Sequence, residues 1–390
     1  MCVGVMGTAL ASPLYPLYQQ AWGLQPSHIT IVFVAYMLAT LASLLLLARL
    51  NDRYGFLPVL RAGLVIVTIG VLISACAWDV SSLIVGRVVI GVASGLITTS
   101  ASLGLTQVGN KGDMQRASAT TSLIIAFGFG LGPVVSGLVA QWAPMPLVTA
   151  YVPSLLLGAV AISALCKMTL PAHLQAPAER ESVPLHLREW LPKVTLPEPR
   201  FARHFVIGSM GAFCAFGIFS LYASLAPSFM DRMVPWHGPA VSGLSIGVIL
   251  FLSAASQYFA RPVHPKTALV VGFAALVLCN LLLLINNFVG SGLLFALSVL
   301  TTALSHGLCN LAGIMVVNKV SMPANRAGLL STYLMIGYCG TIVPILGLGW
   351  LSDHIGLTRA LIVFCTGMAA LGSILAVLAW RTQKLDNPQS

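Results

Sequence analysis

The chain has 390 residues, of which 57% are hydrophobic and only 8% charged, and its mean hydropathy is +0.92. An ordinary soluble domain carries about 25% charged residues, so 20 basic and 10 acidic side chains cannot coat a soluble fold of this size. Soluble enzymes, nucleic-acid binders and disordered proteins are excluded; the net charge of +10 marks no nucleic-acid face, because the basic residues punctuate apolar stretches rather than cluster.

A membrane span needs about 20 apolar residues. On that rule twelve helices are predicted, at approximately 1–20, 30–50, 59–78, 82–106, 117–141, 147–168, 204–230, 240–260, 267–288, 291–320, 328–350 and 358–380. They are named helix one to helix twelve below. Continuous apolar runs without alternation indicate helices rather than a barrel. Seventeen of the 20 Lys and Arg fall at the ends and loops on the amino-terminal side, leaving Arg87, Arg232 and Arg359 elsewhere. By the positive-inside rule both termini are therefore expected in the cytoplasm, in a multi-pass protein of the plasma membrane, the inner membrane if bacterial. The apolar start is too long and too rich in Pro and Tyr for a cleaved signal peptide. It lacks a basic flank, which fits either a start further upstream or a short helix held by its neighbours. The eight cysteines stand singly inside apolar runs, with neither a CxxC pair nor metal-ligand spacing.

The one long polar segment, 169–203, contains six prolines and four of the ten acids. It divides the chain into a six-helix bundle (1–168), a cytoplasmic linker (169–203), a second six-helix bundle (204–380) and a cytoplasmic tail (381–390). Two landmarks repeat across that divide. Pro16 and Pro227, near the ends of helices one and seven, are 211 positions apart, and so are Pro133 and Pro344 in helices five and eleven. Parallel repeats of this kind build transporters whose halves rock about a central site.

Four motifs carry chemistry. Between helices two and three stands Ala48-Arg-Leu-Asn-Asp52-Arg53-Tyr-Gly55, followed by Arg61. Gly55 permits a tight turn, and Asp52 suits a helix amino terminus or a basic partner. Helix four carries Arg87, Gly91 and Gly95 at four-residue spacing, which puts the glycines on one face for close helix approach. Helix five carries Gly128-Phe-Gly-Leu-Gly132-Pro133-Val-Val-Ser136-Gly137; its proline removes a backbone hydrogen bond and bends the helix. Helix one carries Pro13, Tyr15 and Pro16, a kinked segment with an aromatic wall.

Together these resemble the major facilitator superfamily, and most of all its twelve-span drug:proton antiporters. Asp52, Arg53, Gly55 and Arg61 match the loop signature, with Ala48 in place of its glycine and Phe56-Leu57 in place of a basic pair. Arg87, Gly91 and Gly95 are similar to the helix-four element. Gly128, Gly132, Pro133 and Gly137 are similar to the antiporter element of helix five, with Ser136 in place of a glycine. The resemblance implies an all-α major facilitator fold, two pseudo-symmetric six-helix bundles with twelve spans. It further implies a gating latch at Asp52 and a helix-five bend that seals the outer side.

None of the ten acids falls mid-span, so the coupling candidates are His306, Arg87 and Asp231, the last at the outer end of helix seven. His306 titrates near neutrality by type, and a plain interhelical hydrogen bond is its alternative role. Arg87 either faces the bundle interior, as intramembrane charges do, or snorkels to the outer headgroups. Tyr222, His306 and Asn310 join Pro13, Tyr15 and Pro16 as cavity candidates. The chain has no ATP-binding loop and no nucleophile–base constellation, so no enzyme activity, cofactor or metal is expected.

The expected function is proton-coupled efflux of small drug-like or metabolite compounds by alternating access. The expected partners are that small molecule, the proton and the lipid bilayer, with no nucleic acid, and the chain is expected to act as a monomer. The alternatives are a proton-coupled importer of an organic anion or metabolite and, in another class, a membrane assembly factor or sensor that transports nothing. Accumulation of a labelled substrate from outside would mark the importer. Loss of every transport phenotype with a partner complex retained would mark the assembly factor.

Overall fold

A computed structural model describes residues 2–47, 49–108, 114–168, 194–234, 236, 238–322 and 325–383, with side chains throughout except at 106, 108, 114–123 and 231–233. Most of the expected linker, the tail beyond 383 and the Asp231 side chain lie outside the described residues. Among the described residues, eleven helices are long and apolar enough to cross a membrane: Pro26–Leu47, Phe56–Ala75, Val80–Leu105, Ile124–Trp142, Pro146–Lys167, Pro199–Ser224, Pro239–Phe259, Pro265–Val289, Gly292–Val320, Arg326–Ile355 and Leu357–Arg381. These are helices two to twelve of the sequence reading, most ends agreeing within four residues.

Local chemistry sets many of the ends. Pro26, Pro239 and Pro265 open helices two, eight and nine at the first turn, where proline's missing N–H costs nothing. Helix four starts on a reciprocal cap: Asp79 Oδ1 accepts from Ser82 N at 2.8 Å, and Ser82 Oγ accepts from Asp79 N at 3.1 Å. Those bonds from Ser82 hold the Asp79 carboxyl below the usual carboxylate range.

Helix one differs from the continuous helix expected over 1–20. It is an α-helix Cys2–Ala9, a 3-10 turn Ser12–Leu14 and a second α-helix Tyr15–Trp22. Pro13 and Pro16 have no N–H to give to Ala9 and Ser12 four residues back, so the ladder breaks twice. Leu14 N then donates to Ala11 O at 3.0 Å instead of to Leu10 O. Helix seven, also expected as one piece, breaks likewise into Ala202–Ser224 and Ala226–Met233. Pro16 and Pro227 each occupy the second position of the segment after the break, and Pro133 and Pro344 each sit inside an unbroken helix. The repeat is thus structural.

The same helix pairs pack in each half. Helices one and five, two and four, three and four, and three and six are in contact, and so are seven and eleven, eight and ten, nine and ten, and nine and twelve. The halves meet chiefly through helices five and eight and helices two and eleven. Two pseudo-symmetric six-helix bundles result.

Small residues allow these approaches. A Cβ on Gly132 would meet the Met6 carbonyl, and one on Gly128 the Cys2 carbonyl, so both glycines seat helix five on helix one. A Cβ on Gly137 would meet Pro239 O of helix eight, and one on Gly243 of helix eight would meet Pro133 O. Helix five is therefore clamped from two sides by backbone. Gly132→Val forces backbone apart, and overpacking of this kind costs about 1–3 kcal/mol. The expected outcome is a lower melting temperature of the purified protein in detergent and a lower membrane level.

Candidate functional site

The end of the bundle where helix seven starts and helix twelve ends, with Gln383 O 3.1 Å from His204 Nε2, is called proximal; the opposite end is distal. Among the described residues, three side-chain hydrogen bonds join the halves distally. Ser27 N donates to Asp353 Oδ1 at 3.2 Å, Ala240 N donates to Gln141 Oε1 at 3.3 Å, and Ser228 Oγ donates to Gln19 Oε1 at 2.5 Å. At the same level helices two and eleven touch so closely that a Cβ on Gly349 would meet Thr30 Oγ1 and lie 3.1 Å from Ser27 Cα. The distal seam is closed.

Beneath it lies Arg87, 1% exposed. It does not snorkel. Its Nη1 donates to Thr8 O at 2.7 Å, and its guanidinium lies 4.4 Å from the Tyr36 ring centroid. Thr8 belongs to the last turn of the Cys2–Ala9 segment, whose carbonyls lack intrahelical donors and carry the negative end of the helix dipole. The break in helix one therefore builds the acceptor that the buried cation needs. A partly buried helix-end contact supplies up to ~2 kcal/mol and a desolvated cation–π contact about 2 kcal/mol, so the charge is held without a carboxylate. Ser136 answers the same break: its Oγ donates to Leu10 O at 2.7 Å, the carbonyl that Leu14 N leaves free. This is the physical role of the serine that departs from the antiporter element.

In the second half, His306 Nδ1 and Ser253 Oγ share a hydrogen bond of 2.7 Å between helices ten and eight. The Phe219 and Phe216 rings of helix seven lie 5.4 and 6.3 Å from the imidazole. Phe216 in turn meets Tyr338 of helix eleven edge-on at 5.6 Å. Tyr36 thus lines Arg87, and Phe216, with Tyr338 behind it, lines His306. Neither these aromatic residues nor Ser253 stands out in the sequence, since one aromatic or hydroxyl in an apolar helix is ordinary core. The pairing of helices two and eleven sets Tyr36 and Tyr338 on the two sides of the seam.

The remaining candidates occupy other places. Tyr15 is buried with an unpartnered hydroxyl, beside Pro13 and Pro16 at the helix-one break. Tyr222 is buried inside the second bundle, its hydroxyl 3.0 Å from Ser298 Oγ. Asn310 holds helix ten to helix eleven, accepting from Tyr333 Oη at 3.2 Å. Gly91 and Gly95 seat helix four on helix two, against Tyr36 O and Ser43. Asp52 and Arg53 lie on an exposed short helix, Leu50–Tyr54, which ends at Gly55 with φ 79°. Arg61 donates to Leu165 O at 2.8 Å and to Met168 O at 2.6 Å, closing the carboxyl end of helix six.

The family model of the Major Facilitator Superfamily matches residues 1–343. This chain belongs to that superfamily. It is a multi-pass membrane protein of a transporter family. A triacylglyceride transporter of Mycobacteroides abscessus is 25% identical over 351 residues, covering 89% of this chain and 59% of that protein. The chain thus spans about three-fifths of that relative's length. An MFS-type transporter of Aspergillus terreus is 31% identical over 113 residues, 29% of this chain and 20% of that one. Among solved structures, the peptide transporter POT superposes with a TM-score of 0.76 at 18% identity, covering 97% of this chain and 92% of that one. The xylose transporter XylE from E. coli, in an inward open conformation, superposes with a TM-score of 0.75 at 12% identity, covering 99% and 96%. At these identities the structures speak to the fold alone.

The site makes a stability prediction. Ser136→Ala leaves the Leu10 carbonyl buried and unpaired, costing about 1–3 kcal/mol. Arg87→Met does the same to Thr8 and costs at least as much. Thermal unfolding in detergent is expected to shift downward for both, with Arg87→Lys in between.

Proposed function

We propose that this chain is a secondary active transporter that exports small, largely apolar drug-like or metabolite compounds in exchange for protons by alternating access. The observation that carries the reading is the closed distal seam over Arg87 and His306: two bundles in contact at one end are one of the two states that alternation requires. The apolar surroundings of Arg87 and His306 and the triacylglyceride-transporter relative support a lipophilic substrate. The bundles 1–168 and 204–380 are the rocking units, 169–203 links them in the cytoplasm, and the protein works as a monomer with both termini inside. Asp52 latches the cytoplasmic side, and Pro133 shapes the outer seal.

One observation favours the second reading, import of an organic anion or metabolite. Arg87 Nε and Tyr15 Oη are both buried without a partner, and an anionic group would satisfy both.

With no ATP-binding loop in the chain, energy comes from an ion gradient. One charge crossing 100 mV gains about 2.3 kcal/mol, enough for a roughly fifty-fold concentration ratio. Cells overproducing the protein are expected to resist a subset of toxic lipophilic compounds, and an uncoupler is expected to abolish that resistance. Uptake of a labelled anion instead establishes the second reading. His306→Gln keeps a hydrogen bond to Ser253 and removes titration, so the pH profile of transport is expected to flatten while substrate binding survives. An unchanged profile clears His306 as the coupling group. Asp52→Asn is expected to insert normally and to slow transport; wild-type rates at equal membrane levels would sink the cytoplasmic latch.

A further inference from the structure

The turn between helices eleven and twelve repeats the turn between helices two and three. Asn51-Asp52-Arg53-Tyr54-Gly55 leads into a helix at Phe56, and Ser352-Asp353-His354-Ile355-Gly356 leads into a helix at Leu357. Both glycines take the same backbone conformation, φ 79° and ψ 163° at Gly55 and φ 85° and ψ 151° at Gly356. Each donates its N–H to the residue four back at 3.0 Å, Asn51 O and Ser352 O. A positive φ of this kind is strained for any residue with a Cβ, so the shared Asp-x-x-Gly spacing is a shared structural device. The two copies sit at opposite ends of the facing helices two and eleven: the first is proximal, the second distal.

We propose that Asp353 is a gating residue, a distal latch whose carboxylate holds the first turn of helix two from across the seam. The inference deepens the alternating-access reading and rests on it. Helix two begins at Pro26, which has no N–H; His28 N donates to Gln25 O at 3.1 Å within its own chain segment. Ser27 N is the first-turn donor left over, and it is satisfied by Asp353 of the other half. A carboxylate at a helix amino terminus is stabilised by the unsatisfied N–H groups and by the dipole. The pseudo-symmetric crossing repeats the arrangement. Helix eight begins at Pro239, and its next donor, Ala240 N, is capped by Gln141 at the end of helix five. Each distal crossing therefore caps a proline-started helix in trans, one with a charge and one with an amide. When the distal end opens, both N–H groups lose these acceptors to water. The charged cap is the stronger of the two, so Asp353 sets more of the closed-state bias.

The test reads the seam directly and needs no substrate. Thr30 is buried under Gly349, so Thr30→Cys reports opening of the distal seam in the purified full chain. Maleimide labelling at residue 30, followed by peptide mass mapping, separates it from the eight native cysteines. Asp353→Ala is expected to raise that rate about two- to five-fold, the population factor that a helix-terminus charge contact supplies. Ser27→Pro removes the donor instead, at a first-turn position that tolerates proline, and is expected to raise the rate equally. The two together should do no more than either alone, because they delete one contact. Asp353→Glu is expected to stay near the parent rate. Cys279, buried inside the second bundle, should label no faster in any variant. An Asp353→Ala rate equal to a measurable parent rate overturns the latch alone, as does simple additivity with Ser27→Pro or a parallel rise at Cys279. A parent whose residue 30 labels no faster than Cys279 has a seam that never opens, which overturns the alternating-access reading and the latch with it.

Discussion

Inside a bilayer no water reaches a backbone carbonyl, so a helix that breaks there must find donors within the protein. Helix one breaks because Pro13 and Pro16 cannot donate, and much of the first bundle is arranged around that gap. Arg87 reaches Thr8 O from helix four and Ser136 reaches Leu10 O from helix five. A third helix contributes the Tyr36 ring under the guanidinium. One break thus binds helices one, two, four and five into a unit, and it converts an expensive buried cation into a helix cap. Among the described residues the second bundle has no such centre. The position 211 after Arg87 is Ser298, which pairs with the Tyr222 hydroxyl. The halves share a skeleton but not an electrostatic core.

That asymmetry has a functional side. A transporter needs two packings of nearly equal free energy, and rigid halves moving about a fixed seam supply them more readily than a deformable core does. The seam meets this need through backbone-to-backbone contact. Gly137 and Gly243 put backbone against backbone at one crossing, and at the other Gly349 lets helix eleven close onto Thr30 and the Ser27 backbone. Among the described residues the side-chain hydrogen bonds that cross distally are three, two of them from N–H groups at helix starts that water can take over when the seam opens. Contacts of that kind release cheaply.

The aromatic side chains beside Arg87 and His306 lie just under this seam and come from both bundles. Tyr36 and Tyr338 are contributed by helices two and eleven, the pair whose distal ends carry Ser27 and Asp353. The proposed gate and the surroundings of Arg87 and His306 therefore share two helices. Under the proposed alternation, a change in how helices two and eleven meet moves Tyr36, Tyr338 and the Ser27–Asp353 contact together.

Much of the fold was legible in the residues. Apolar runs of about 20 residues have one solution in a bilayer, so the approximate limits of helices two to six and eight to twelve followed from composition and spacing, while the breaks in helices one and seven did not. The prolines at 16, 133, 227 and 344 marked the repeat because proline acts on its own helix and needs no partner. The glycines of helices four and five were legible as close-approach positions for the same reason. Their partners were not: that Gly132 sits on Met6, that Arg61 closes helix six, and that Ser136 caps Leu10 depend on which helices become neighbours. Arg87 was visible as a buried charge, but its acceptor is created by a break elsewhere in the chain. Nothing in the sequence singles out Asp353, Tyr36 or Tyr338. Hydropathy and backbone propensity are properties of one segment and can be read along it. A hydrogen bond between residues 326 positions apart, such as that from Ser27 to Asp353, exists only once two bundles have been brought face to face.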